Sequence, residues 1–506
     1  MDNRTHMHPS TLRLRRLGID IYQEAVIYMR RDCHVCRAEG FEAQSRVQIA
    51  HGEHFIIATL NVVDGDLLAP EEAGLSEAAW RLLGAQEGDV ITLAHPRPLE
   101  SRSHVRAKVY GQRLNGADLL AIMRDVTAGY YADIDIAAFI AACAGDRMDL
   151  DETVALTRAM IDVGERIDWD TRPIVDKHSV GGLPGNRTTP IVVAIVAAHG
   201  LTMPKTSSRA ITSPAGTADV METMTEVNLD VAAIRRVVAR EGACLAWGGA
   251  VRLSPADDIL IRVERPLDLD SEGQLVASVL SKKAAAGSTH VVIDVPVGPT
   301  AKVRTEAAAR TLSERLIAVG RTLDLTVRTV VSDGTQPVGR GIGPALEAHD
   351  VLAVLRREIR APQDLRERAV RLAGYVLEFA ADVPPGVGYA HAKRILDDGR
   401  ALKKFEAICA AQGGLREPPR AAYTQPVTAP RAGRIVGIDN RRLARAAKLA
   451  GAPRAAAAGI VLHAPIGTGV EQGRPLYTLH AETPGELAYA LDYVEGQAPI
   501  VEVAPA

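Results

Sequence analysis

Residues 174–222 constrain this chain more than any other stretch: IVDKHSVGGLPGNRTTPIVVAIVAAHGLTMPKTSSRAITSPAGTADVME. They read as two strand–loop–helix units in succession. In the first, the apolar run Pro173–Val175 enters the polar cluster Asp176-Lys177-His178-Ser179. Gly181, Gly182 and Gly185 follow, then an apolar helix expected over Thr188–Ala198. In the second, Leu201–Thr206 runs into Ser207-Ser208-Arg209, a Ser213-Pro214-Ala215-Gly216-Thr217 turn and a helix from about Ala218. Each unit sets small residues, hydroxyls and free backbone N–H groups at a helix N-terminus. Unpaired donors, the positive end of a helix dipole and close backbone approach together suit a dianion. Lys177 adds a full charge, and two such loops side by side predict one phosphate held by both.

The rest of the chain sets the frame for that stretch. With 506 residues it is too long for one core, so two to four domains are expected. Lys and Arg total 59 against 62 Asp and Glu, a net charge of −3, which gives no support for a nucleic-acid partner. No apolar run reaches the roughly 18–20 residues of a membrane span, and the first residues, MDNRTHMHPSTLRLRR, lack the apolar core of a secretion signal. Five cysteines without such a signal suit a reducing cytoplasm. Cys33-His34-Val35-Cys36 is a lone CxxC, read as a free-thiol pair. A zinc site there would need two more ligands, His51 and His54 being the nearest candidates.

Taken in order, residues 1–95 alternate short apolar runs (Asp20–Met29, Val47–Ile49, Phe55–Val63, Asp89–Leu93) with glycines, the pattern of a small β-rich, barrel-like domain. Residues 100–168 switch to helical spacing, with starts at Gly116-Ala117-Asp118, Asp133 and Asp149. An amphipathic helix is expected over Ser271–Ala286, with Ser271 and Gln274 fitting a capping box. Residues 170–262 and 289–418 alternate strand and helix and form a large mixed-sheet α/β domain. Within it, Gly339, Gly341 and Gly343 read as a tight loop, the dinucleotide fingerprint being the weaker reading. Pro418, Pro419, Pro426 and Pro430 mark a linker, and residues 426–506 read as an α+β C-terminal domain.

DKHSxGG followed by SSRAITSPAGTAD resembles the thymidine/pyrimidine-nucleoside phosphorylase family. The inserted Leu183-Pro184-Gly185-Asn186 and the long N-terminal extension make the chain most similar to the branch that holds AMP phosphorylases and bacterial type 2 thymidine phosphorylases. The resemblance implies an α/β fold with a helical domain, completed by residues 263–288, beside the α/β domain and an active-site cleft between them. It implies phosphorolysis of an N-glycosidic bond, with inorganic phosphate as substrate and neither metal nor organic cofactor, in a homo-oligomer. The substrate would be a small nucleoside or nucleotide: thymidine, or in the alternative a nucleoside 5′-monophosphate.

The matching phosphate ligands are Lys177, Ser179, Thr189, Ser207 and Thr217, a cation with hydroxyl and backbone donors. Ser278 and Lys282, four apart on one helix face, match base-binding positions. The base-contacting arginine would be Arg265, with Arg262 near the same place. Gly182, the run Ser208, Arg209, Ala210, Ile211, Thr212 and Ser213, then Thr217, Ser278 and Lys302 match nucleotide-binding positions of the AMP phosphorylase branch. The second loop reads TSPAGT where thymidine phosphorylases carry a histidine. A 5′-phosphate would need a further cationic pocket, for which Arg209, Arg187 and Lys302 are available. Two residues match general acids of the family: His178, which titrates near neutrality, and Asp270, which needs a raised pKa and is slightly favoured.

Overall fold

The computed structural model describes residues 10–21, 24–210, 213–267, 269 and 271–505. The chain divides into two compact units, Met1–Met148 with Ile259–Ser271, and Asp149–Asp258 with Glu272–Ala506.

The first unit opens with a closed six-stranded barrel. Its strands are β1 (Thr11–Arg16), β2 (Val26–Arg30), β3 (Arg46–His51), β4 (His54–Val63), β5 (Glu72–Leu75) and β6 (Val90–Ala94), in the order β1-β5-β2-β4-β3-β6. Period-two alternation drives it: Leu12 and Leu14, Val47 and Ile49, Ile91 and Leu93 point inward, with Ile27 and Met29 completing the core. The sequence reading overlooked β1 and β5. In β1 the apolar residues are interleaved with arginines, and β5 is only four residues long.

Two short helices belong to the barrel, α1 (His34–Glu39) and α2 (Glu77–Leu83). Cys33 caps α1, its Sγ accepting the Cys36 N–H at 3.2 Å. His51 pairs with Asp89. Among the described residues no group of three or more His, Cys, Asp or Glu could hold a metal. Helices α3 (Ser101–Val109), α4 (Gly116–Thr127) and α5 (Asp133–Cys143) follow. The first turn of α4 carries a capping box, Asn115 with Asp118.

In the second unit, α6 (Leu150–Asp162) starts on its Asp149 cap. The α/β core then runs β7 (Val175–Ser179), α7 (Thr189–His199), β8 (Met203–Ser207), α8 (Thr217–Glu222), α9 (Val231–Glu241) and β9 (Ala243–Trp247). Helix α10 (Pro255–Leu267) begins in this unit and ends in the first, and α11 (Glu272–Ala285) returns to pack on α6. β10 (His290–Val297), α12 (Glu306–Arg321), β11 (Thr326–Asp333), the two-residue strand β12 (Gly341–Ile342) and helices α13 (Pro344–Leu355), α14 (Gln363–Leu377), α15 (Gly388–Asp397) and α16 (Arg400–Ala411) follow.

Strands β11, β10 and β7 pair in parallel, as do β8 and β9, and a parallel bridge between Ile174 and Thr202 joins the two sets. The expected mixed sheet is thus parallel throughout these pairs; the antiparallel pairing lies with β12, which joins the C-terminal sheet. Parallel strands covered on both faces read as nearly continuous apolar runs, and β10 is buried over six of its eight residues. Because the strands are parallel, Ser179, Ser207, Trp247 and Asp333 all end at one edge, where ligands of such sheets bind. Behind that edge α7 is buried over nine of eleven residues, the pattern of an interior helix.

The C-terminal part comprises β13 (Tyr423–Thr428), β14 (Gly433–Ile438), α17 (Asn440–Leu449), β15 (Gly459–Leu462), β16 (Gly469–Val470), β17 (Pro475–Ala481), α18 (Pro484–Glu495) and β18 (Val501–Ala504). Its sheets, β12-β15-β17-β13 and β16-β14-β18, are antiparallel. Part of the expected proline linker is therefore a strand. β13 is an edge strand, the position where Pro426 costs no ladder bond on its free side. The GxGxG loop is a packing device: at Gly343 (φ +130°) a Cβ would lie 2.2 Å from the Ala458 carbonyl oxygen. No helix among the described residues is long and apolar enough to cross a membrane.

Candidate active site

The strand β7 is built on buried charge. Asp176 forms ion pairs with Lys283 Nζ at 2.7 Å and with Lys205 Nζ at 3.1 Å, all three residues being buried. Burial alone would raise the Asp176 pKa, but the two lysines outweigh it and hold the carboxylate below its usual value. The ion triad also staples α11 and β8 to β7. No motif assigns Lys205, Lys283 or Asp176 a role, yet the lysine inside the strand MPKTS is a signal: a charge in an apolar strand must find a partner.

Lys177, on the opposite face of β7, is 1% exposed and donates to Thr188 Oγ1 at 2.7 Å, at the N-cap of α7. Burial pushes its ammonium down to about 8, Asp294 opposing the shift and Arg187 and Arg368 adding to it. Thr189, the first residue of α7, is buried beside it. His178 is pushed well below the usual histidine value, by burial first and then by Lys283, Lys205, Lys282 and Lys177. It is therefore a neutral imidazole at pH 7. Ser179 donates its one hydroxyl proton to Asp294 Oδ2 at 3.0 Å. Asp294, fully buried on β10, also accepts from Asn186 (3.3 Å) and Ser332 (2.5 Å), and organises this end of the sheet. Gly182 (φ +80°) faces the Lys302 backbone so closely that a Cβ would lie 2.3 Å from its nitrogen.

The second loop is uncharged except for Arg209. Ser207 Oγ is buried and has no hydrogen-bond partner among the described residues. Ser208 is exposed, and Ser213 Oγ donates to the Ala215 carbonyl at 3.0 Å. Asp219 ties the loop together, accepting from the backbone N–H of Ala210 (2.6 Å) and of Gly216 (2.8 Å). Arg209 is held bidentately by Glu222 and stacks over Trp247 at 4.7 Å. Thr217 Oγ1 accepts from Arg187 Nη1 at 2.7 Å, and Arg187 is further held by Glu347. Two of the three cations expected to be available for a 5′-phosphate are thus engaged with protein groups; Lys302 is exposed.

On α11, Lys282 Nζ donates to Ser278 Oγ at 3.2 Å and to the buried Asp257 at 2.6 Å, so the shared face read from the sequence is a contact. Asp257, in the first turn of α10, went unrecognised as its counterion. Arg262 is committed to Asp133 at 2.6 and 2.7 Å. Asp270, Ile211 and Thr212 lie outside the described residues, as does the side chain of Arg265.

A helical bundle followed by a parallel α/β core is also the order in which two glycosyl transferase family domains match this chain. Residues 102–164 match the glycosyl transferase family helical bundle domain, residues 171–402 the glycosyl transferase family a/b domain, and residues 435–501 the pyrimidine nucleoside phosphorylase C-terminal domain. The chain is 68% identical over 98% of its length to a Polaromonas sp. (strain JS666) protein named "Putative thymidine phosphorylase", covering 97% of that protein. It is 58% identical over 97% of its length to a Legionella pneumophila (strain Corby) protein of the same name, covering 95% of it. Among solved structures, anthranilate phosphoribosyltransferase from Thermus thermophilus is similar at a TM-score of 0.49 and 20% identity, over 61% of this chain and 98% of that one, too slight a likeness to carry an argument. The chain belongs to the pyrimidine nucleoside phosphorylase family and is a pentosyltransferase.

Proposed function

We propose that this enzyme cleaves the N-glycosidic bond of a nucleoside with inorganic phosphate in the thymidine phosphorylase manner, giving thymine and 2-deoxyribose 1-phosphate from thymidine. The observation that carries the reading is the donor set at one sheet edge: buried Lys177, the N-terminus of α7, and a Ser207 hydroxyl with no protein partner among the described residues. A dianion answers all three. Phosphate held by Lys177, Thr189, Ser207 and Thr217 attacks the anomeric carbon as the base departs. Ser179 joins by turning its proton away from Asp294. Ser278, Lys282 and Arg265 hold the base, and Gly182, Ser208–Ser213 and Lys302 are the further substrate-binding residues of this reading. Asp270 protonates the leaving base. Its rival His178 is unprotonated at neutral pH before phosphate arrives, which weakens it as the acid. No metal or organic cofactor takes part.

The second reading is phosphorolysis of a nucleoside 5′-monophosphate to ribose 1,5-bisphosphate. The TSPAGT loop, which lacks the histidine of thymidine phosphorylases, favours it. The commitment of Arg187 and Arg209 to Glu347 and Glu222 weighs against it. The experiment is phosphate-dependent base release from thymidine, uridine, AMP, CMP and UMP side by side. Turnover of thymidine above the monophosphates is expected; turnover of AMP, CMP or UMP alone selects the second reading, and no phosphate dependence with any substrate rejects both.

A further inference from the structure

Arg187 follows Asn186, which holds a left-handed conformation (φ +56°), and its side chain turns inward to 12% exposure. Two segments far apart in sequence meet on it, residues 215–217 and the start of α13. Nε and Nη2 each lie 2.8 Å from Glu347 Oε2, Nη2 donates to the Ala215 carbonyl at 2.8 Å, and Nη1 donates to Thr217 Oγ1 at 2.7 Å. Glu347 is itself fixed: it is buried in the first turn of α13, and its other oxygen accepts the Gly343 N–H at 3.1 Å. A guanidinium has five N–H donors and no acceptor, so in its bond to Arg187 the Thr217 hydroxyl must accept. Its own proton then points away from the arginine, and the cation behind the oxygen makes that proton a stronger donor to an anion. A threonine without this contact is free to turn its proton onto a nearby carbonyl, as the serine at 213 does with Ala215.

We propose that Arg187, held by Glu347, is a positioning residue of the phosphate site that acts through Thr217, turning the threonine hydroxyl into a dedicated donor and locking the second loop to the first. The inference rests on the assignment of Thr217 as a phosphate ligand made above. In this role the arginine's charge faces protein groups, and its effect on phosphate passes through one hydroxyl.

The test is a double-mutant cycle on the full chain, read as the rise in Tm with inorganic phosphate alone and as KM for phosphate against kcat. The variants are Thr217→Val, Arg187→Met and the pair. A charge-assisted hydrogen bond corresponds to roughly tenfold to hundredfold in affinity. Arg187→Met and Thr217→Val should each weaken phosphate by about that factor, with KM for phosphate rising by more than kcat falls, and the pair should be no weaker than the worse single variant within about twofold. Arg187→Met combined with Glu347→Gln avoids stranding a buried carboxylate if the single variant folds poorly, and Arg187→Lys should restore part of the affinity. Losses that multiply in the pair, or unchanged phosphate affinity in Arg187→Met, overturn the inference. A wild-type chain whose Tm ignores phosphate overturns the phosphate site itself, an outcome distinct from a responsive wild type with a multiplicative cycle.

Discussion

The two loops at the sheet edge share one plan and divide its labour. The first, from Lys177 to Arg187, keeps its charges inside: Lys177 is buried against Thr188, with Asp176 and its two lysines packed on the other face of the strand. It leads into the long buried helix α7. The second, from Ser207 to Thr217, leads into the six-residue α8 and turns its one charge, Arg209, away onto Glu222 and Trp247. What it leaves uncommitted is hydroxyl chemistry, at Ser207 and at the proton of Thr217. Charge is expensive to bury and must be fixed by partners from several elements, as Asp176 is by lysines from β8 and α11. A hydroxyl is cheap to leave waiting for a ligand.

That division can be broken most sharply at Lys177. Lys177→Ala should lower kcat/KM for phosphate by about thirtyfold to several thousandfold, since truncating one partner of a desolvated charge pair costs about 2–5 kcal/mol. Because burial holds this ammonium at about 8, phosphate affinity should also fall as pH rises through that value, when the amine becomes neutral. A pH-independent phosphate KM between pH 7 and 9 would mean that the first loop is not the charged one.

The acid assignment comes next. Asp270→Asn should reduce kcat by about 10²–10⁴ and erase the alkaline limb of the pH profile, with substrate binding little changed. His178→Gln should act mainly on phosphate KM, since the imidazole is neutral and lies between Lys177 and Ser179, the proposed phosphate ligands. If His178 is the acid, the two results exchange places. Wild-type kcat in Asp270→Asn with the limb intact removes Asp270 from the mechanism.

Ser207→Ala sharpens the contrast from the other side. Loss of one charge-assisted bond of about 1.5 kcal/mol predicts roughly tenfold weaker phosphate binding. The free protein should keep its Tm or gain slightly, because a buried hydroxyl without a partner is itself destabilising by about 1 kcal/mol. A marked fall in Tm would show that the hydroxyl has a structural duty. The smallest effect is expected from chelation: EDTA should leave turnover unchanged, with inhibition reversed by a single divalent metal as the opposing outcome.

Most elements of the α/β core were legible from pattern. The helix expected over Thr188–Ala198 spans Thr189–His199, and that expected over Ser271–Ala286 spans Glu272–Ala285. Asp149 caps α6 as its position suggested. Each is a local property of a few neighbouring side chains and backbone groups. The barrel was legible only in part, because β1 hides its two leucines among arginines. At the site, Ser278 and Lys282 could be paired from four-residue spacing alone. The partner of Lys282, Asp257, could not, since it lies 25 residues away on another helix.

The sequence by itself determined the chemistry on offer: two small-residue loops at strand ends, a lysine, hydroxyls, and a resemblance spelled out in continuous motifs. Those features are short-range, and helix periodicity, caps and glycine placement carry them whatever the rest of the chain does. Only the tertiary structure decided which charges are available. Arg187 and Arg209 read as free cations in the chain, and folding commits one to Glu347, 160 residues away, and the other to Glu222. It likewise set Asp176 between Lys205 and Lys283, and it lowered the pKa of His178, by burial first and by the surrounding lysines second. The reason is physical. Whether a side chain is charged, neutral or already bonded depends on the water it has lost and the partners it has met, and both are fixed by packing between segments that no local pattern connects.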